Sequence, residues 1–245
     1  MSVFATLVER LAELLQPLFL GSATAAAIVV FTALVRLAVH PLSRAAARGQ
    51  KASARLAPRV AELREKHGGN PERLRRELAD LYAKERTSPV AGCLPSLLQL
   101  PAFFVLYHLF SSADIGGEPN ELLHHTLLAA PLGDRWTDAV GGGEVLNGAG
   151  AVYLVLFAIV TVVAAVNYRR TRKQMVAGPQ LQTAAPGMGA MMRFLPLLSF
   201  ATLITVAVVP LAAALYVVTS TTWSAVERIV LYRDLPAAGA LAGPL

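Results

Sequence analysis

Residues 23–39 read ATAAAIVVFTALVRLAV, and Arg36 is the one charged residue among them. A run of this length and apolar character is typical of a helix that crosses a membrane. A guanidinium in hydrocarbon costs roughly 3 kcal/mol on insertion scales, so such arginines usually face a bundle interior or a water-filled cavity. The alternative is that Arg36, five residues before Pro41, reaches the lipid headgroups with its long side chain. The stretch predicts a transmembrane helix that carries a functional cation.

The composition of the whole chain is that of a membrane protein. Of its 245 residues, 55% are hydrophobic and only 16% are charged, which is typical of a polytopic membrane protein and not of a soluble domain. The single cysteine, Cys93, excludes an internal disulfide and a multi-cysteine metal site. The histidines lack the spacing of metal ligands, and no P-loop, nucleophile-elbow or zinc-protease motif occurs. We therefore expect no cofactor, no metal and no enzymatic bond chemistry.

Charge is distributed unevenly along the chain, and this predicts its orientation. Twelve of the 22 Lys and Arg residues lie between Arg44 and Arg86, and five more lie between Arg169 and Arg193. Residues 111–150 carry only Arg135 against six acids. Basic loops remain in the cytoplasm. We expect a multi-pass protein of the inner (plasma) membrane, with an extracytoplasmic amino terminus and a cytoplasmic carboxyl terminus.

The apolar runs predict an all-α fold with five transmembrane helices and a cytoplasmic helical hairpin between the first and the second. The transmembrane helices are predicted at 20–41, 88–110, 151–168, 194–209 and 211–232. The remaining segments are an amphipathic helix on the outer surface at 1–19, the hairpin at 42–87, an extracytoplasmic loop at 111–150, a cytoplasmic loop at 169–193 and a cytoplasmic tail at 233–245. As one helix, 194–232 would be about 58 Å long, so Pro210 is predicted to separate two crossings.

Local signals refine three of these segments. Within the hairpin, Gly68 and Gly69 should end one helix, and Asn70 should cap the next, with Pro71 in its first turn. In the outer loop, Leu122 to Leu128 is predicted as a short interfacial helix. The alternative interpretation of the amino-terminal segment is a cleaved signal peptide. The first basic residue of the segment, Arg10, comes too late for the basic n-region of a signal peptide.

Four stretches carry a resemblance to a known family. They are Val35-Arg36-Leu37 followed by Pro41-Leu42; the basic hairpin ending in Leu81-Tyr82; Ser88 to Pro95 continuing through Gln99-Leu100-Pro101 to Tyr107; and Leu215-Tyr216 with Ser220 and Trp223. Together with the order of the segments, they resemble the YidC/Oxa1/Alb3 membrane-protein insertase family over about residues 20–232. The third stretch is the most specific, because a transmembrane helix broken twice by proline around a central glutamine is unusual.

The resemblance implies a membrane insertase and chaperone that acts alone or beside the Sec translocon. It implies that nascent membrane proteins enter a hydrophilic intramembrane groove and leave it into the phospholipid bilayer. The groove residues it implies are Arg36, Gln99 and Tyr216, and Thr32 joins them because its spacing of four residues places it on the helical face of Arg36. The basic run is a candidate for contact with the ribosome or with lipid headgroups through Arg169, Arg170, Arg172 and Lys173. No dedicated nucleic-acid site is expected.

The chain departs from the family pattern at several positions, and alternatives remain open. Val217 stands where an aromatic residue is frequent, Glu227 where a glutamine is, Ala212 where a glycine is and Ser88 where an asparagine is. No amino-terminal lipidation cysteine is present. A specialised paralogue would show such changes. The other functions left open are a small-solute or anion transporter with Arg36 as anion site, although no inverted repeat is found, and a non-catalytic assembly partner in a membrane complex.

Overall fold

The computed structural model of the chain describes residues 2–85, 104–115, 117–143, 148–177 and 195–233. Most of these residues are helical, which agrees with the predicted helical fold. The α-helices in this part of the chain are α1 Ser2–Phe19, α2 Ala23–His67, α3 Pro71–Lys84, α4 104–111, α5 Trp136–Gly141, α6 Gly148–Ala177, α7 Ala201–Val208 and α8 Leu211–Leu231. Short 3-10 helices are present at Leu20–Ser22, Glu121–His124 and Leu195–Phe200.

Two small sheets interrupt the helical pattern in the segment predicted as the outer loop. Strands β1 Asp114–Ile115 and β2 Glu118–Pro119 pair antiparallel, as do β3 Thr126–Leu127 and β4 Ala130–Pro131. The short helix predicted at Leu122–Leu128 is therefore wrong beyond His124. Asn120 explains the change, because its Oδ1 accepts the N–H of Leu122 and starts a single 3-10 turn. The chain then reverses in the β3–β4 hairpin.

Two helical stretches of the described part are long and apolar enough to cross a membrane, namely Phe4–His67 and Gly148–Arg172. The apolar stretch Leu197–Val208 is shorter, and the predicted fourth crossing starts there as a 3-10 helix. Its 3-10 and α segments together measure about 24 Å, against a hydrocarbon core of about 30 Å. Five crossings remain a prediction.

Helix ends do not coincide with the predicted ends of the membrane spans. Helix α2 continues through Pro41 and Pro58 to His67, and α6 continues through the basic run to Ala177. Arginine, lysine and alanine are good helix formers, so a run of them ends an apolar span without ending the helix. A proline inside a helix costs hydrogen bonding and favours a kink, but it does not always terminate the helix.

The turn between α2 and α3 confirms the predicted cap. Asn70 is the N-cap of α3, its Oδ1 accepts the N–H of Arg73 at 3.0 Å, and Pro71 occupies the first helical position. A Cβ atom at Gly68 would lie 2.8 Å from the Arg64 carbonyl oxygen, so a side chain does not fit there. Arg59 Nη1 contacts Glu85 Oε1 at 2.5 Å and joins the two helices.

The described residues divide into two compact units. The first, called here the core unit, lies within Met1–Ala38, Leu100–Tyr168 and Leu197–Glu227. The second, called the hairpin unit, lies within Val39–Gln99, Arg169–Pro196 and Arg228–Leu245.

Helix α8 provides the centre of the core unit. All eight residues from Leu211 to Val218 are buried, and this helix begins directly after Pro210, where the predicted break is confirmed. Helix α1 packs its apolar face on the same core through Val8, and the ring of Phe4 meets that of Phe31 edge to face. The amphipathic amino-terminal helix therefore has protein against one side, while Leu14 and Leu18 remain exposed.

The loop between α4 and α6 is folded onto the first turn of α8. The N–H groups of Leu211 and Ala212 donate to the carbonyl oxygens of Asp134 and Leu132, both at 2.9 Å. Tyr153 of α6 donates its hydroxyl to the same Asp134 oxygen at 2.6 Å. These bonds satisfy backbone donors that every helix start leaves unpaired. The loop therefore fixes where α8 begins.

Candidate functional site

Arg36 and Ser220 form the centre of the candidate site within the core unit. Arg36 Nε donates to Ser220 Oγ at 3.0 Å, and Arg36 Nη2 donates to the same oxygen. Arg36 lies half-buried on α2, whereas Ser220 on α8 is only 3% exposed. The guanidinium is therefore held against a second helix of the bundle by a hydroxyl. This contact argues against the alternative in which the side chain serves only to reach the headgroups.

Tyr216 lies one helical turn before Ser220 on α8, and the two side chains share a hydrogen bond. Tyr216 is 2% exposed, and its ring contacts that of Phe110 on α4 with 5.9 Å between centroids. The structure thus brings the predicted site residues Arg36 and Tyr216 to one serine. Sequence reasoning assigned no role to Ser220, although the spacing of four residues from Tyr216 places both on one face of a helix.

Thr32 lies one turn before Arg36 on α2, as its spacing requires, and it is buried. Its hydroxyl donates to the carbonyl oxygen of Ile28 in the same helix at 2.7 Å. The donor capacity of this side chain is therefore used locally, while its oxygen can still accept a hydrogen bond.

Ser220 belongs to a polar belt on α8, residues Thr219 to Ser224. Several of its hydroxyls bond to carbonyl groups one turn earlier, as Ser224 does to Ser220 at 2.9 Å. Among the residues that the structure describes, the buried atoms Thr222 Oγ1 and Trp223 Nε1 have no hydrogen-bond partner. Five hydroxyl residues within six positions are unusual for a membrane helix, and this clustering was the sequence signal that could have identified the belt.

The other predicted site residues lie elsewhere. Gln99, together with the doubly proline-broken stretch around it, is outside the described residues. Arg169, Arg170, Arg172 and Lys173 are helical residues near the end of α6 and belong to the hairpin unit. Arg169 and Arg172 are exposed. These two side chains are therefore accessible.

The positions that depart from the family pattern differ in environment. Val217 and Ala212 are buried in the centre of the core unit. Glu227 is half-buried two turns after Ser220 on α8. At Ala212, the small side chain fits a helix start that is packed against the loop, where its N–H donates to Leu132.

The arrangement supplies electrostatics and hydrogen bonding. A cation is fixed between two helices of an apolar unit, beside a serine, a tyrosine and a belt of hydroxyls. Such a site can attract an anionic group and can bond polar groups that have left water, with an attraction that increases as the local dielectric falls.

Comparison with known proteins identifies the family. The model of the family described as "60Kd inner membrane protein" matches residues 16–238. The YidC membrane protein insertase of Chlorobium limicola is 37% identical over 103 residues, which cover 42% of this chain and 17% of the relative. The YidC insertase of Ralstonia nicotianae is 40% identical over 93 residues, with 38% and 17% covered. The chain thus matches less than a fifth of the length of these relatives. Because the family model covers most of the sequence, the chain belongs to the 60Kd inner membrane protein family, that of YidC and Oxa1.

Proposed function

We propose that this protein is an insertase and chaperone for membrane proteins. It receives nascent membrane segments in a hydrophilic intramembrane groove and releases them into the bilayer, alone or with the Sec translocon. The observation that carries the proposal is the Arg36–Ser220 contact, in which a cation from an apolar helix is fixed against a second helix beside Tyr216. The names of the YidC relatives support the same activity.

A fixed cation lowers the cost of moving a polar chain end across lipid. An uncompensated charge is expensive in hydrocarbon. Arg36 would attract acidic substrate tails, and the hydroxyls near it would bond backbone groups that have lost water. The apolar part of the substrate then gains free energy by entering the lipid. The activity is transfer between environments, and no bond of the substrate is broken.

The proposed groove is lined by Arg36, Thr32, Gln99 and Tyr216. Thr32 is included because it lies one turn from Arg36, and Gln99 because of the family pattern. Support for a polar wall comes from α8, where the buried Nε1 of Trp223 lies one turn after Ser220 and has no partner in the described part of the chain. A buried donor without a partner costs about 1–3 kcal/mol, so a hydrogen-bonding occupant is expected on this side of α8.

The partners and the orientation belong to the same proposal. The chain would lie in the inner membrane with its amino terminus outside and its carboxyl terminus inside, which places the basic hairpin and the basic end of α6 in the cytoplasm. There Arg169, Arg170, Arg172 and Lys173 would meet ribosomal RNA or lipid headgroups, and the Sec translocon would be a partner within the bilayer.

Reconstitution of the purified protein alone in liposomes tests the proposal. Insertion of a small membrane protein with an acidic tail is measured as protection from added protease. We expect wild type to insert this substrate, Arg36→Ala to insert it about tenfold less well, and Arg36→Lys to lie between them, because lysine keeps the charge but loses the fork of donors. Arg75→Ala, which removes an exposed charge from α3, is the matched control and should behave as wild type.

Two results would overturn the proposal. If wild type inserts no more substrate than empty liposomes do, the protein is not an autonomous insertase. If Arg36→Ala inserts several acidic-tailed substrates as well as Arg75→Ala does, the cation is not part of the mechanism.

A further inference from the structure

A cavity in the hairpin unit is lined by basic and apolar side chains and is separate from the Arg36 site. Its volume is about 440 Å³, and its lining consists of Pro41, Arg44, Ala47, Arg48, Lys51 and Leu231. Three of these six residues are cations and none is an acid. An anionic ligand therefore suits the cavity.

The three cations share one face of α2. Arg44, Arg48 and Lys51 follow each other at spacings of four and three residues, which places them in a row along a helix. The opposite wall is the end of α8, where Leu231 lines the cavity. Next to it, the Tyr232 hydroxyl donates to Gln50 Oε1 at 2.6 Å. The cavity is thus closed on two sides by elements that contact each other.

The predicted boundary of the first membrane span places this cavity near the membrane surface. The apolar run of α2 ends at Val39, so Arg44 and Arg48 lie about 8 and 14 Å beyond it along the helix. The headgroup region on each side of a bilayer is roughly 5–8 Å thick. Helix α8 ends at Leu231, which lines the same cavity. The end of α8 and the first basic turns of α2 therefore line the same cavity, beyond the apolar run of α2.

We propose that this cavity binds the headgroup of an anionic phospholipid. The phosphodiester would lie against Arg44, Arg48 and Lys51, and the glycerol with the first methylenes would contact Pro41, Ala47 and Leu231. Basic pockets at the ends of membrane helices bind such headgroups. The apolar half of the lining favours a lipid over RNA, whose sugars and phosphates offer little apolar surface. The proposal does not depend on the insertase function, since none of these residues belongs to the proposed groove.

Lipid retention by the purified full chain in detergent micelles tests the proposal. Phosphatidylglycerol or phosphatidylcholine is added, and the bound lipid is measured by native mass spectrometry. We expect wild type to retain phosphatidylglycerol in preference to phosphatidylcholine. The double variant Arg44→Gln/Arg48→Gln should bind phosphatidylglycerol about tenfold more weakly. The matched control, Arg75→Gln/Lys84→Gln, removes two exposed charges from α3 and should bind within about twofold of wild type.

A second variant distinguishes binding of the lipid inside the cavity from general electrostatic attraction of the lipid to basic side chains. Ala47→Met keeps every charge but places a longer side chain in the cavity, so it should also lose phosphatidylglycerol. The melting temperature of each variant, measured in detergent, shows whether it is folded, and the charge variant alone suffices if Ala47→Met unfolds.

Three outcomes would overturn the proposal. The first is equal loss of lipid in the cavity variant and in the control. The second is full displacement of the lipid by millimolar inorganic phosphate, which would show that the site recognises the free anion. The third is a cavity variant that keeps phosphatidylglycerol but loses binding to a short RNA, which would assign this face to RNA.

Discussion

At the scale of single residues, the site depends on how one guanidinium is held. A hydrogen bond to a charged group contributes about 1.5–3 kcal/mol, and Arg36 makes two such bonds to Ser220. The sequence predicted a site role for Arg36, because a charge in an apolar run has few structural explanations, and for Tyr216 through the family pattern. It assigned no role to Ser220, because periodicity shows which residues share a face of one helix but not which face of α2 meets α8.

Replacing the serine should therefore weaken the site without removing the cation. We expect Ser220→Ala to reduce insertion of an acidic-tailed substrate about fivefold, which corresponds to about 1 kcal/mol, because the guanidinium is no longer held in place. The control is Thr161→Ala on α6, whose exposed side chain donates to the Phe157 carbonyl within its own helix. Protease protection in liposomes measures both variants, and equal activity of the two would contradict a positioning role for Ser220.

At the scale of elements, caps and breaks were predictable and helix continuations were not. Asn70 and Pro210 act through local chemistry that the sequence displays directly. Helix α2 passes through Pro41 because its flanking residues favour helix and the turns on either side stabilise it, so hydropathy locates the lipid boundary but not the helix end. The two small sheets between α4 and α5 were also missed. Strands of two residues have no detectable periodicity, and Gly117, at φ +91°, is the only local sign of the first reversal among the described residues.

The cap of α3 leads to a stability prediction. We expect Asn70→Ala to destabilise α3 by about 1 kcal/mol, because the N–H of Arg73 loses its acceptor. Hydrogen exchange of the α3 amides should become about fivefold faster, while exchange in α6 stays unchanged. Asn70→Asp keeps an acceptor and should retain the wild-type exchange rate. Unaltered exchange in Asn70→Ala would contradict the cap.

The loop that is folded onto the start of α8 leads to a second stability prediction. Leu132 is fully buried, so Leu132→Ala should destabilise the protein by about 2–5 kcal/mol through lost burial and a cavity. Leu128, in the neighbouring hairpin, is 76% exposed, and Leu128→Ala is the control, with an expected change below about 0.5 kcal/mol. Thermal unfolding in detergent compares them. Similar melting temperatures for both variants would show that the loop is not packed as described.

At the scale of the whole molecule, the predicted orientation depends on charge asymmetry and the predicted function on the family pattern. The hydropathy of a span describes that span alone. Helix α8 contains a polar belt and Glu227, which lower its apolar character, although it lies at the centre of the core unit. A helix that other helices surround does not need a lipid-compatible surface. This explains why hydropathy alone recognises α6 readily and α8 poorly.

The predicted orientation can be tested by labelling single cysteines in a Cys93→Ala background. An impermeant maleimide added to intact cells freed of the outer wall should label Leu128→Cys, and it should label Arg75→Cys only after the membrane is opened. This result follows from the basic hairpin staying inside and the acidic loop outside. The reverse pattern would contradict the proposed orientation.

The hydrogen bonds from Leu211 and Ala212 to the loop have a consequence for the depth of the site. Ser220 lies nine residues after Leu211, or about 13 Å along the helix. Sliding α8 along its axis would break both bonds to the Leu132 and Asp134 carbonyls, so the loop between α4 and α6 sets the height at which the serine meets the guanidinium. Lengthening or shortening that loop would shift Ser220 relative to Arg36, although neither residue is changed.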